Sequence, residues 1–334
     1  MIDYLDEDLS YLLGLIVARG NIREDEIKQI VIEFPFKGLT AIGIQKEMQQ
    51  KESIKLSLLD VRKRIEELTD SRIRQEENPY AVYMIIESMK NTIFWRNIRT
   101  ILGRRVSYSD FEVPEFVLGA DTSIKKEFIR GFADIAGSAR ASNNDWSGRH
   151  RIYIDILNNN WRLPIQLCNL LQEHLHIPVQ TITYGHPNTR DPNLVEYNQG
   201  REEAWTREHQ LKVYADNFLE VGFYIKHKQE ILEELADFNL KKFGGYTKLC
   251  WPYKTIRRPS NPHPEEYSER LPQELRGKHF DTYWQICCEL GCERCKKQQR
   301  LVSENVPKWK VTFTDKGTKI DKERETEGES LVEL

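Results

Sequence analysis

The sequence predicts an α+β protein built from two pseudo-symmetric repeats. Two apolar helix-like runs end in glycine and carry another glycine six residues earlier: LSYLLGLIVARG, ending at Gly20, and KKEFIRGFADIAG, ending at Gly137. The two runs lie 117 residues apart. An alternating apolar segment and then a further helix follow each run in the same order. A duplicated order of this kind is typical of an internal repeat.

The elements of each repeat follow from hydrophobic periodicity. QIVIEF (29–34) and RIYIDIL (151–157) place apolar residues at every second position, as on a half-buried strand. Helices are predicted at 54–69 and 161–175, and strands at 72–87 and 178–185. Closing helices are predicted near 89–102 and 216–238. Each repeat therefore reads helix, strands, helix, strands, helix.

The glycines of the two runs have a physical interpretation. Gly14 and Gly131 lack side chains, so the two helices can approach each other closely there. Gly20 and Gly137 come where each helix ends, which is a usual position for a chain reversal after a helix. The sequence therefore predicts a close helix pair at the centre of the two repeats.

Composition sets further limits on the class of protein. The chain has 334 residues, of which 30% are charged and 39% hydrophobic, and its formal net charge is −3. Residues 317–334 hold six acidic and three basic residues, so the whole deficit lies in this stretch. No apolar run suits a membrane span, and the acidic N-terminus does not resemble a signal peptide. We expect a cytoplasmic protein without a membrane partner.

The duplicated helices resemble the signature helices of the LAGLIDADG homing endonucleases, in their single-chain, two-repeat form. LLGLIVARG (12–20) is similar to the first signature, and IRGFADIAG (129–137) to the second. The resemblance covers about residues 8–240 and implies two αββαββα units. The expected boundaries are 1–118 and 119–245 for the repeats, 246–300 for a cysteine-rich module, and 301–334 for short strands with an acidic tail.

The resemblance also implies a site that this sequence alters. In the family, an acidic residue precedes the final glycine of each signature helix, and the two acids hold divalent metal for phosphodiester cleavage. Here those positions are Arg19 and Ala136, neither of which can bind Mg²⁺. Asp134 is a carboxylate two positions earlier, about 200° away around the helix. We therefore expect the usual cleavage site to be absent, with Asp134 as the catalytic candidate if cleavage remains.

The resemblance implies that the strands straddle double-stranded DNA in its major groove. If the isoleucines of 151–157 face the core, the residues between them face away, and Ile73 implies the same for its neighbours. Arginine suits guanine and phosphate, and asparagine suits adenine. The expected DNA-binding residues are Arg72, Arg74, Arg140, Asn143, Asn144, Arg149, Arg151, Tyr153, His186, Asn188 and Arg190.

A cysteine cluster near the C-terminus predicts a structural zinc site. The string CCELGCERC combines a helix-like segment with a C-x-x-C pair, which is common geometry for tetrahedral zinc. His279 is an alternate ligand, and reduced cysteines on a buried helix are the other interpretation. The candidate ligands are Cys250, Cys287, Cys288, Cys292 and Cys295, of which one in the pair Cys287 and Cys288 is spare.

Three functional hypotheses follow. The first is a sequence-specific DNA-binding protein that serves as the recognition component of a restriction or related DNA-processing system, or as a transcriptional regulator. The second is an active Mg²⁺-dependent endonuclease with relocated carboxylates, for which Asp134, Glu33 and Asp155 are candidates. The third is an assembly protein that does not bind nucleic acid.

Overall fold

The helices and strands of the chain occur in the same order twice. The computed structural model describes residues 5–44, 51–69, 72–88, 92–145, 148–157, 162–186, 208–244, 309–314 and 317–322. The first repeat comprises α1 (Glu7–Arg19), β1 (Gly20–Glu24), β2 (Lys28–Pro35), α2 (Phe36–Leu39), α3 (Lys51–Ser57), α4 (Leu59–Thr69), β3 (Arg74–Glu77), β4 (Ala81–Ser88) and α5 (Ile93–Leu102).

The second repeat follows the same plan. It comprises α6 (Glu115–Leu118), α7 (Thr122–Ala136), β5 (Gly137–Asn144), β6 (His150–Ile156), α8 (Arg162–Asn169) with a π-helical turn (Leu170–His174), β7 (Val179–His186), β8 (Glu208–Tyr214), α9 (Ala215–Phe218) and α10 (Lys226–Phe243). The predicted α+β class and the αββαββα order are both confirmed. A two-stranded antiparallel hairpin, β9 (Trp309–Thr314) with β10 (Gly317–Lys322), lies further along the chain.

Each repeat forms one four-stranded antiparallel sheet with the same strand order. The order is β1-β2-β4-β3 in the first repeat and β5-β6-β8-β7 in the second. The predicted strand 29–34 lies inside β2, and the predicted strand 151–157 lies inside β6 except for its last residue. The sequence analysis missed β1 and β5, because GNIRE and GSARASNN carry few apolar residues to show a period of two. It also missed β8, which follows the predicted strand 178–185.

The signature helices α1 and α7 pack side by side at the centre of the molecule. A Cβ atom on Gly14 would overlap the carbonyl oxygen of Phe128, and a Cβ on Gly131 would overlap that of Tyr11. These two contacts are reciprocal, since Tyr11 precedes Gly14 by the same three residues that separate Phe128 from Gly131. The predicted close helix pair is confirmed, and only glycine allows it.

The glycines that end the two helices have a different role from the predicted one. Gly20 and Gly137 do not reverse the chain, because their φ angles are −94° and −81° and each residue begins a strand. A Cβ on Gly20 would lie 2.6 Å from the carbonyl oxygen of Ile16, and one on Gly137 would lie 2.6 Å from that of Ala133. Glycine is needed here for close approach, which carries the chain directly from helix to strand.

The segment after β2 crosses from the first repeat to the second. Ile42 pairs with the edge of β5, where its N–H donates to Ala139 and its carbonyl accepts from Ala141. The edge of β1 is covered by its own repeat instead, because Ile22 donates to the carbonyl of Val106 (2.7 Å). The two sheets therefore have different neighbours at corresponding edges.

Helix α10 of the second repeat holds the same segment from the other side. His227 Nε2 donates to the carbonyl oxygen of Leu39 (2.5 Å), and Glu234 accepts from the backbone N–H of Ile44 (2.7 Å). Burial lowers the pKa of His227, so its imidazole is neutral near pH 7.

Among the helices that the structure describes, none combines the length and the apolar composition that a membrane span needs.

Candidate nucleic-acid interface

Strand register defines a polar face on the second sheet. The isoleucines at alternate positions of β6 are buried, so the residues between them lie on the opposite face of the sheet. Strand β8 places one residue directly opposite each of these. We call this set the repeat 2 face: Arg151, Tyr153, Asp155, Gln210, Lys212 and Tyr214.

Tyr153 lies between two cations on the repeat 2 face. The Arg151 guanidinium is 5.3 Å from the centre of the Tyr153 ring, and the Lys212 ammonium is 5.2 Å from it. Both distances are within the range of attractive cation–π contacts. Arg151 also donates to the Tyr153 hydroxyl (3.0 Å) and to the carbonyl oxygen of Asn144. Tyr153 and Lys212 are half-buried, whereas Arg151 is only 4% exposed, so Arg151 acts mainly by positioning Tyr153.

Arg149 was predicted to face DNA, but it lies in a buried network at the end of this sheet. Its guanidinium forms an ion pair with Asp216 and stacks on Tyr214, 4.3 Å from the ring centre. The Tyr214 hydroxyl donates to Asp145 (2.9 Å), and burial together with Asp145 raises the Tyr214 pKa. Asn239 donates to Asp216 (2.8 Å) and completes the network. Arg149 is therefore a structural residue, 7% exposed.

The predicted residues on β5 divide in the same way. Asn143 is buried and donates to the carbonyl oxygen of Ser138 (3.0 Å), whereas Asn144 is exposed. Arg140 is half-buried and donates to the carbonyl oxygen of Lys37 (2.9 Å). Asn144 is thus the member of this group whose side chain is open to a ligand.

The first sheet has a corresponding face of different character. Ile30, Ile32 and Phe34 of β2 are buried, so the residues between them lie on the other face, with partners on β1, β4 and β3. We call this set the repeat 1 face: Asn21, Arg23, Gln29, Val31, Glu33, Arg74, Glu76, Tyr83, Ile85 and Glu87.

Ion pairs and hydrogen bonds link neighbours across the repeat 1 face. Arg74 contacts Glu76 (2.5 Å) and Glu87 (3.0 Å), and Gln29 donates to Glu87 (2.9 Å). Arg74 is exposed, as is Arg72, on either side of the buried Ile73. The sequence prediction that Arg72 and Arg74 point away from the core is confirmed.

The ends of the two signature helices differ from each other. Arg19 lies 4.0 Å from Glu33 and 5.5 Å from the centre of the Tyr108 ring, with 15% of its side chain exposed. Ala136, at the matching position of α7, is 9% exposed and has no metal-binding group. Among the described residues, no three His, Cys, Asp or Glu side chains cluster in a way that could hold a metal ion.

Asp134 lies on α7 and is fully buried. Its carboxylate accepts from the Tyr11 hydroxyl (2.6 Å) and from the backbone N–H groups of Tyr224 (3.1 Å) and Ile225 (3.3 Å). Lys228 donates to the carbonyl oxygens of Ala133 (3.0 Å) and Asp134 (2.9 Å). Catalysis by Asp134 requires an accessible oxygen, and 0% of the residue is exposed.

Burial also shifts the titration of this pair. It raises the pKa of Asp134 to about 6 and lowers the pKa of Lys228 to about 7. The attraction between the two groups opposes both shifts. Lys228 could not be identified from the sequence, because it is 94 residues away from Asp134 and lies on an ordinary amphipathic helix.

For the remaining predicted residues, the structure describes no side-chain contacts. His186 is the last residue of β7. Asn188, Arg190 and the candidate zinc ligands Cys250, Cys287, Cys288, Cys292 and Cys295 lie outside the described residues. The other two relocated-carboxylate candidates are engaged on the two faces, Glu33 with Arg19 and Asp155 with the amide of Gln210 (2.7 Å).

Comparison with known proteins gives distant similarities only. No protein-family model matches the chain, and no curated protein matches it. Mesophilic variants of the homing endonuclease I-DmoI share 17% identity over 64% of this chain and 87% of that chain, with a TM-score of 0.37. I-DmoI in complex with DNA and Ca shares 18% identity over 70% and 97%, with a TM-score of 0.36. The N-terminal LAGLIDADG domain of DUF199/WhiA shares 13% identity over 70% and 84%, with a TM-score of 0.32, and at such values no residue role passes to this chain.

Proposed function

We propose that this chain binds double-stranded DNA in a sequence-dependent manner through the repeat 1 and repeat 2 faces. The observation that carries the proposal is the pair of four-stranded sheets with matching topology, each with polar side chains opposite its core. A sheet or ribbon of strands fits the major groove, where base edges are distinguishable. A repeated sheet supplies two such surfaces in one chain.

The side chains on these faces suit the chemistry of DNA. Lys212 offers a charged donor to phosphate and Arg74 offers one to guanine, whereas Gln29 and Asn144 offer paired donor and acceptor atoms to adenine. Tyr153 presents a hydroxyl that Arg151 holds in place. Side chains fixed by neighbours lose less conformational entropy on binding, which favours specific contacts.

The proposal assigns no cleavage to the ends of the signature helices. Magnesium requires oxygen ligands, and these positions hold a guanidinium, Arg19, and a methyl group, Ala136. The residues present therefore do not fit the divalent metal that the family resemblance implies. The Glu33 carboxylate lies 4.0 Å from the Arg19 guanidinium and is paired with it.

The wider context of the proposal is a restriction or related DNA-processing system in which other chains supply cleavage, with a transcriptional regulator as the alternative. The expected zinc-binding module (246–300) is then an accessory unit beside the two repeats. Zinc content measured on the purified full-length chain tests that part, with Cys292→Ala and Cys295→Ala as the variants expected to lose the metal.

Selection of bound duplexes from a random DNA library, with EDTA and separately with Mg²⁺, tests the main proposal. We expect an enriched sequence in both conditions, no nicked product, and a complex that weakens steeply with salt. Lys212→Ala should weaken binding and reduce the slope of log K against log salt by about 1. Lys63→Ala is the matched control, because this lysine is exposed on α4, outside the two faces.

The outcomes separate the hypotheses. Absence of any complex at low salt contradicts DNA binding and favours an assembly protein. Nicking of the selected DNA in Mg²⁺ restores the endonuclease hypothesis. Equal loss in the Lys212 and Lys63 variants contradicts the repeat 2 face as the contact surface.

A further inference from the structure

The repeat 1 and repeat 2 faces carry opposite charge. On the two central strands of its sheet, the repeat 2 face holds Arg151 and Lys212 against one acid, Asp155. On the corresponding central strands, β2 and β4, the repeat 1 face holds two acids, Glu33 and Glu87, and no base. The repeat 2 face is therefore net positive and the repeat 1 face net negative, although the two sheets have the same topology.

The ion pairs on the repeat 1 face add to this difference. On the repeat 1 face, Arg74 contacts two carboxylates, Glu76 and Glu87, so a large part of its charge is already balanced. Arg19, at the adjoining helix end, is likewise beside Glu33. On the repeat 2 face, Arg151 and Lys212 both lie against the ring of Tyr153, whose face attracts cations.

Phosphate responds strongly to such a difference. Contacts to the DNA backbone come largely from cationic side chains and release counterions, whereas carboxylates near phosphate oppose binding. A duplex that spans both faces therefore meets attraction on one side and repulsion on the other. The charge difference acts on every DNA sequence, unlike contacts to base edges.

We propose that the repeat 2 face is the phosphate anchor of the complex and that the repeat 1 face contributes contacts to base edges while disfavouring phosphate. This inference rests on the proposed DNA binding. It implies one dominant half-site on the DNA, bound by the second repeat, and a single orientation of the chain on its target. It also places the salt dependence of the complex in the second repeat.

Matched charge changes test the inference. Lys212→Gln and Arg23→Gln each remove one positive charge from one face, and Arg23 is exposed on β1. We expect Lys212→Gln to weaken binding about tenfold and to lower the salt slope by about 1, with a much smaller effect of Arg23→Gln. Glu76→Gln, on the exposed edge strand β3, should tighten binding.

Footprinting on the selected DNA gives a second measurement. We expect backbone protection to be stronger on one half-site, and this protection to fade selectively in Lys212→Gln. Equal losses for Lys212→Gln and Arg23→Gln, or weaker binding by Glu76→Gln, overturn the inference while DNA binding stands. A wild-type chain that binds no duplex at low salt overturns the proposed function itself. Thermal melting of each variant confirms that it is folded.

Discussion

The two repeats share a backbone plan and differ in the chemistry placed on it. Their strand orders correspond, and Gly14 and Gly131 make the same contact with each other's helix. At two matched positions near the ends of these helices the residue type differs. Val17 is replaced by Asp134, and Arg19 by Ala136, at the same offset of 117 residues. The two repeats are therefore symmetric at the glycines where the helix backbones touch, and they differ in the side chains near the helix ends.

The difference between Val17 and Asp134 concerns how each repeat is joined to its neighbour. Val17 is apolar and 1% exposed, so the first repeat is held at this position by apolar packing alone. Asp134 accepts hydrogen bonds from the first repeat through Tyr11 and from the loop before α10 through Tyr224. Only the second repeat uses a buried carboxylate at this position, which makes its packing more dependent on exact partners.

Replacing Asp134 should have the largest effect on stability. Asp134→Ala leaves the Tyr11 hydroxyl and two backbone N–H groups without their acceptor and removes the carboxylate that attracts the Lys228 charge, so we expect a loss of about 3–5 kcal/mol in the free energy of unfolding. Val17→Ala, the matched control, should cost about 2 kcal/mol through lost burial. Urea denaturation followed by circular dichroism measures both. Equal costs contradict the distinction between the two positions.

Alanine at Gly14 or at Gly131 should lower the free energy of unfolding by the same amount. A methyl group at position 14 or 131 overlaps a carbonyl oxygen of the facing helix, so each substitution should cost about 3 kcal/mol. Gly119→Ala is the control, because its Cβ would lie 3.7 Å from the nearest atom and its φ is −83°. Chemical denaturation is the measurement, and a large inequality between Gly14→Ala and Gly131→Ala would show that the helix contact is not reciprocal.

The smallest expected effect is a pH dependence at the link between the repeats. Burial lowers the pKa of His227, so the unfolded chain binds a proton near pH 6.5 before the folded chain does. The contribution of His227 to stability should therefore fall as the pH decreases from 7 to 5, by at most about 1.4 kcal/mol per pH unit. His227→Gln keeps a donor for Leu39 and removes the titration, so its stability should fall less. Identical pH profiles contradict this assignment.

The sequence predicted the parts of the fold that depend on periodicity. Alternating isoleucines identified β2 and β6, and the spaced glycines identified the helix pair. Strands β1 and β5 escaped prediction because they are polar and short of apolar residues. Their pairing comes from backbone hydrogen bonds to β2 and β6, which leave no pattern in the sequence.

The candidate interface was predicted less completely, for a related reason. Tyr153 and Arg74 point away from the core as alternation required. Arg149 and Arg151 are buried, since their partners Asp216 and the Asn144 carbonyl come from other parts of the chain. A contact across 67 residues, such as Arg149 with Asp216, cannot be inferred from local spacing.

The crossing of Ile42 onto β5 has a consequence for dividing the molecule. An uncovered strand edge offers free backbone donors and acceptors to any other strand, which promotes aggregation. In the first repeat, the edge of β1 pairs with Val106 of the same repeat. In the second repeat, the edge of β5 pairs with Ile42, which belongs to the first repeat. We therefore expect a separated second repeat to be the half that self-associates, whereas in the intact chain the segment around Ile42 covers that edge.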